Sequence, residues 1–220
     1  RFMSLSVVYT RAALGVEAPL ICVEVHLSNG LPGLTLVGLP ETTVKEARDR
    51  VRSAIINSGY TFPAKKITIN LAPADLPKEG GRYDLPIAIA LLVASEQLSS
   101  SRISAYEFVG ELALTGALRG VPGAISGALA AIRAGREIIV ARDNAAEVSL
   151  VEEKGCLVAE HLQEVCAFLE GRHELAAPVG EPFVAEHNEC DISDIIGQEQ
   201  GKRALEITAA GAHNLLLIGP

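Results

Sequence analysis

The chain has no tryptophan, a single methionine, and aromatic residues at only 4% of its 220 positions. Large rings therefore cannot fill its interior, and the core has to be built from aliphatic side chains within a hydrophobic total of 49%. That content suffices for one substantial core without cross-links. The four cysteines (Cys22, Cys156, Cys166, Cys190) lie far apart with no CxxC pair, which argues against both a metal framework and a disulfide scaffold. The five histidines form neither HxxxH nor HxH, so no structural zinc site is expected. Long apolar runs are missing too. The stretch LPIAIALLVA (85–94) is too short to span a bilayer. The start lacks a basic segment followed by an apolar run and a cleavage site, so the expected location is the cytoplasm, with no membrane partner. Lysine is absent between Lys78 and Lys154.

The net charge of −8 is unevenly spread. Residues 41–82 carry eight Lys/Arg against five Asp/Glu, and residues 137–199 carry three against fifteen. An acidic protein binds nucleic acid poorly without a local basic surface, so any DNA contact should fall in the first of these segments.

Three stretches near the start, SLSVVYT (4–10), LICVEVHL (20–27) and LTLVGL (34–39), read as strands. With a turn at Asn29-Gly30 they predict a β-meander. Val44, Ala47, Val51, Ala54 and Ile55 recur at helical spacing over 41–59. Thr43 and Glu46 suit a capping box there, and Gly59 suits a helix end. A strand over 65–73 then leads into PADLPKEGGRYDLP, whose prolines and paired glycines mark a loop. A second helix is expected from Asp84. Beyond it the pattern predicts strands near 107–112 and 137–141 around a helix at 123–134, then a short helix, a strand at 156–159 and a helix at 161–169. Residues 171–190 lose periodicity and read as a linker. The remainder predicts a turn, a helix at about 198–210 and an aliphatic strand, NLLLIGP, of the kind buried in a nucleotide-binding parallel sheet.

The segment DIIGQEQGKRALEITAAGAHNLLLIGP resembles the opening of the AAA+ module of the magnesium-chelatase-related family. The stretches GLPGLTLVGLPETTVKEARDRVRSAIINSGY and INLAPADLPKEGGRYDLPIAIALL are similar to that family's N-terminal domain. The likeness covers residues 3–220. It implies an α/β (α+β) architecture: a Lon-protease-like, ribosomal protein S5 domain 2-like fold over 3–170, a linker over 171–190, and at 191–220 the first helix and strand of a P-loop domain. The sequence would then close just before the phosphate loop, with Ile195, Ile196, Gly197 and Gln198 bordering the adenine and Gly219 and Pro220 beginning that loop. The resemblance further implies a homo-hexameric ATPase that uses ATP and Mg²⁺ in its full-length form, with no cofactor on the present piece. Its implied partner is branched or single-stranded DNA, in branch migration during natural transformation and recombination. A magnesium-chelatase-like motor for metal insertion, or a purely architectural oligomerisation domain, are the alternatives.

The Lon-like comparison also tests for a peptidase. The loop Pro77-Lys78-Glu79-Gly80 precedes the helix, but the nucleophile position falls on Asp84 and the lysine position on Ile125. A carboxylate at a helix start is expected to be an ionised cap, a poor nucleophile, and isoleucine cannot act as a base. Candidate DNA contacts are Lys45, Arg48 and Arg52, which share one helical face, and Lys78 and Arg82 in the following loop, expected to be exposed. Against the helical set stands a solvated face with ion pairs Glu41–Lys45 and Glu46–Arg50.

Overall fold

A computed structural model describes residues 5–151, 154–180 and 191–219; the side chains of Thr43 and Lys45 also lie outside the described set. The chain divides into two units, Arg1–Glu181 and Pro182–Pro220.

The first unit is a mixed α/β domain. Its seven-stranded sheet comprises β1 (Leu5–Arg11), β2 (Leu20–Ser28), β3 (Gly33–Val37), β4 (Lys66–Ala72), β5 (Tyr106–Val109), β8 (Glu137–Ala141) and β9 (Cys156–Ala159), in the order β3-β4-β2-β1-β5-β8-β9. A small ribbon pairs β6 (Glu111–Leu112) with β7 (Leu118–Arg119). Only the first step of the expected meander exists: β1 and β2 pair antiparallel. Rather than folding back on β2, β3 lies beyond β4 and runs parallel to it. A parallel neighbour requires a crossover, and the helical segment between β3 and β4 supplies it.

That segment is α1 (Thr42–Lys45) followed by α2 (Ala47–Asn57), broken at Glu46. The N-cap positions fall on Glu41 and Glu46, neither of which makes a side-chain cap bond; the expected capping box rests on the Thr43 side chain, which lies outside the described residues. At the far end Gly59 takes φ +83°, the left-handed residue that ends the helix. Val51, Ala54 and Ile55 are buried, as the helical spacing required.

Helix α3 (Asp84–Ala94) has ten of eleven residues buried, because DLPIAIALLVA is apolar all round and belongs in the centre of the molecule. Together with α2 and α6 (Leu162–Leu169) it closes one face of the sheet over an aliphatic cluster that includes Val23, Ile69, Leu91, Phe108 and Val165. Each such Leu or Ile contributes about 1.5–3 kcal/mol by leaving water. On the other face, α4 (Ala124–Arg133) and α5 (Ala145–Val148) cover only the β5-β8-β9 end, around Ile138, Val140 and Ala128. The continuous apolar run of β8 follows from burial on both sides. Gly38 shows one close approach: at φ +101° its missing Cβ would lie 2.2 Å from the Leu71 carbonyl oxygen.

Beyond α6 the chain stays docked for a few residues. The Val158 amide donates to the Ala176 carbonyl at 3.0 Å, and Leu175 packs on the core. The second unit holds α7 (Glu199–Gly211), none of whose residues is buried. The aliphatic run that follows is not a strand: Leu216, Leu217 and Ile218 are 80%, 66% and 88% exposed. A strand of a parallel sheet forms only by pairing with neighbours, and none of the described residues pairs with it.

Candidate functional site

At the start of α3 the structure corrects the expected cap. Tyr83 holds the N-cap position and Asp84 is the first helical residue, completely buried and making no cap bond. Its carboxylate is held by α2 instead. Arg50 Nε donates to Oδ2 at 2.7 Å and Nη2 to Oδ1 at 3.0 Å, and the Leu112 amide donates to Oδ2 at 3.2 Å. Burial pushes the Asp84 pKa up to about 6, against the lowering effect of Arg50. Asp84 is thus a structural anion that ties α3 to α2 and to the β6-β7 ribbon. Ile125 lies in the first turn of α4, half-buried, its amide donating to Glu147 Oε1 at 3.0 Å.

A cleft of about 520 Å³ opens between the Gly80–Tyr83 and Gly120–Gly123 stretches, yet neither Asp84 nor Ile125 lines it. Its ionisable lining groups are Glu79, Arg82, Tyr83 and Glu111. A nucleophile needs a base within hydrogen-bond reach, and this lining provides no serine, lysine or histidine.

Lys78 and Arg82 contradict the expectation of an exposed loop. Lys78 has no exposed surface, donates its Nζ to the Pro73 carbonyl, and is pushed below lysine's ordinary pKa by burial. Arg82 is 6% exposed, donates Nη2 to the Pro122 carbonyl at 2.5 Å, and is also lowered by burial. A Cβ on Gly81 would meet the Glu111 carboxylate at 2.3 Å, so this glycine admits close packing; Pro77, Glu79 and Gly80 stay exposed while the two cationic side chains turn inward, and the loop is bonded to the start of α1 through Glu41 N to Lys78 O at 3.1 Å. Both cations are thus engaged by backbone carbonyls, and Arg82 also lines the cleft of about 520 Å³.

On the outward face of α2 the structure brings cations together. Arg48 and Arg52, four residues apart, share a face and are exposed. Both line a cleft of about 190 Å³ with Lys65, Phe62 and Leu34, and no carboxylate borders it. The Arg52 guanidinium carbon sits 5.1 Å from the Phe62 ring centroid. Among the described residues Arg48, Arg52 and Lys65 make no ion pair. Of the two expected pairs, Glu46–Arg50 is present but loose at 3.9 Å, Arg50 being engaged by Asp84. The Glu41–Lys45 pair rests on the Lys45 side chain, outside the described residues.

Sequence reasoning missed a second buried network. Glu107 in β5, wholly buried, accepts from Arg11 Nε at 2.6 Å, Arg11 Nη2 at 2.7 Å and Arg136 Nε at 2.9 Å. Arg11 also donates to the carbonyls of Ala18 and Ala130 at 3.1 and 3.2 Å, fastening α4 to the sheet. Arg136 lies over the Tyr9 ring, 4.7 Å from its centroid. The signal was a glutamate inside the apolar run YEFV, where a charge needs a cation.

In the second unit, Ile195 and Ile196 are 39% and 97% exposed, and Gly197 and Gln198 turn through positive φ into α7. Gly219 has open space around it, and Pro220 lies outside the described residues. Among the described residues no group of His, Cys, Asp or Glu could hold a metal ion, and no helix is long and apolar enough to cross a membrane.

Residues 23–144 match the family described as subunit ChlI of Mg-chelatase, and residues 191–220 match magnesium chelatase, subunit ChlI. The chain is 75% identical over 218 residues to YifB of Salmonella typhimurium, an uncharacterised protein, covering 99% of this chain and 43% of that one. It is 57% identical over 225 residues to competence protein ComM of Haemophilus influenzae, covering 99% and 44%. An uncharacterised Mycobacterium tuberculosis protein, Rv2897c, is 36% identical over 219 residues, again covering 99% and 44%. The chain therefore spans less than half the length of these relatives.

Proposed function

The chain belongs to the ComM/YifB-type magnesium-chelatase-related family, and from that premise we propose that it is the N-terminal part of a DNA-acting AAA+ ATPase. The full-length protein, in this reading, assembles as a homo-hexamer, hydrolyses ATP with Mg²⁺ and acts on branched or single-stranded DNA, as branch migration in natural transformation and recombination requires. The first unit contributes to assembly and presents a DNA-facing surface. The second unit is the entrance to the motor, with Ile195–Gln198 beside the adenine and Gly219-Pro220 leading to the phosphate loop.

The observation that carries this reading is the cluster of Arg48, Arg52 and Lys65, exposed and without acidic partners, in a chain of net charge −8. Leaving three cations unneutralised in an acidic protein is explained by a polyanion that completes them. The relative named for competence supports DNA as that polyanion. The arrangement around Asp84 and Ile125 supports no peptidase.

The test is ATP hydrolysis and branched-DNA unwinding by the full-length protein, against a version lacking residues 1–170. DNA-stimulated hydrolysis that loses DNA affinity on removal of the first unit is the expected result. Hydrolysis indifferent to DNA would refute the reading. A second reading, a motor for metal insertion into a porphyrin, is favoured by the descriptions of the two family matches. ATP-dependent porphyrin metallation by the full-length protein would establish it.

A further inference from the structure

We propose that the cleft between α2 and the segment entering β4 seats one nucleotide unit of a single DNA strand, its phosphate held by Arg48 and Lys65 and its base laid on the guanidinium plane of Arg52; the proposal rests on the DNA reading above.

The cleft combines two features that a simple charged surface lacks. Its cations come from two elements, Arg48 and Arg52 from α2 and Lys65 from the approach to β4, and converge without any carboxylate on the lining. Asp49, next to Arg48 in sequence, does not border the cleft, and Glu46 is directed to Arg50. The wall between these cations is apolar: Pro32, Leu34, Phe62 and Pro63. A free inorganic anion makes no use of that wall. A group carrying both a phosphate and a flat ring can use the cations together with the open part of this wall.

Arg52 sets the orientation. Its guanidinium is held near the Phe62 ring, 5.1 Å from the centroid, a cation–π contact that keeps the plane from swinging freely in solvent. Arg52 remains exposed, so its other face is open to a stacked base. Its N–H groups point outward at the edge of the plane, toward the backbone of the same strand. The dimensions select against a duplex: a cleft of about 190 Å³ takes one planar group, and in a double helix each base is already stacked and paired. Duplex DNA could offer these cations only its phosphates.

The test uses the full-length protein, fluorescence anisotropy with labelled dT20 and with a blunt 20-base-pair duplex, and the variants Arg48→Ala/Arg52→Ala and Lys65→Glu. The three residues are exposed, so thermal melting should be unchanged. The double variant should lose about tenfold in dT20 affinity, the equivalent of one stacked base. Its slope of log K against log salt should be shallower by up to about 0.7, the share of one phosphate on a single strand. Duplex affinity should fall less. Lys65→Glu should weaken dT20 binding in the same direction, and a change there confirms the site independently of the arginines. Unchanged dT20 affinity in both variants, while the wild type binds DNA, would overturn this proposal and leave the DNA reading standing. Equal losses on duplex and single strand would reduce the cleft to counterion release and also overturn it. Displacement of dT20 by dTMP at equal affinity per nucleotide would reassign the cleft to a free nucleotide. Absence of all DNA binding by the wild type would sink both readings.

Discussion

Replacing Arg50 with alanine should test the clasp at the start of α3 more directly than any change to Asp84. The substitution leaves a completely buried carboxylate with one remaining donor, the Leu112 amide at 3.2 Å. Breaking a buried pair by removing one partner costs about 3–5 kcal/mol. Because the Arg50 side chain is 22% exposed, water can replace part of it, and the low end, about 3 kcal/mol at pH 7, is expected. For a domain of this size that corresponds to a fall in Tm of about 6–12 °C. Asp84→Asn should cost less, about 1 kcal/mol, since the arginine left behind can turn to water and to Glu46.

The pH dependence separates this account from generic damage. Asp84 already has a folded pKa raised to about 6, so its protonation contributes stability that is fully present below about 4 and is lost as pH rises through 6. Without Arg50 the carboxyl is pushed higher still and takes up its proton near neutrality. The deficit of Arg50→Ala relative to wild type should therefore shrink between pH 7 and pH 5. Thermal unfolding of both proteins by circular dichroism at the two pH values reads this directly. An unchanged Tm at pH 7, or a deficit that grows on acidification, would refute the reasoning.

Glu107→Gln should destabilise by about 3–5 kcal/mol, because it strands Arg11 and Arg136 together beneath α4; a lower denaturant midpoint at unchanged m-value checks it. Gly38→Ala should cost about 2 kcal/mol or more, from positive φ plus the clash with the Leu71 carbonyl. Gly59→Ala, at φ +83° with open space around it, should cost only about 1 kcal/mol, and comparing the two melting temperatures isolates the clash. Asp84→Ser/Ile125→Lys should cleave no casein above a buffer blank, because residue 84 points at Arg50 and neither position lines the neighbouring cleft; cleavage would show that this geometry is not what disables the site.

Local chemistry was enough to place most elements. The spacing of Val51, Ala54 and Ile55 put one side of α2 inside, and the pattern placed a helix from Asp84 and a strand at 137–141, though that the helix is central and the strand covered on both faces came from the structure. Periodicity reports which faces are apolar, and that is a property of neighbours along the chain. The pairing of strands is not: Asn29-Gly30 looks like a hairpin turn, but β3 found its partner in β4, some thirty residues on, through the α1-α2 crossover. The final aliphatic run shows the same limit from the other side, since its pattern is that of a buried strand and no described residue pairs with it. The candidate site divides likewise. Arg48 and Arg52 were legible as a helical pair, but their convergence with Lys65 and Phe62 depends on the packing of α2 against the entry to β4. Lys78 and Arg82 carried every sequence mark of a solvent loop, and much of that loop is indeed exposed, but the fold turned both side chains inward onto the carbonyls of Pro73 and Pro122. The partner of a buried charge is decided the same way: the sequence alone shows Glu107 inside the apolar run YEFV and Asp84 at a helix start, and only the tertiary structure shows that both are buried and that arginines distant along the chain, Arg11 and Arg136 for one and Arg50 for the other, make that burial tolerable.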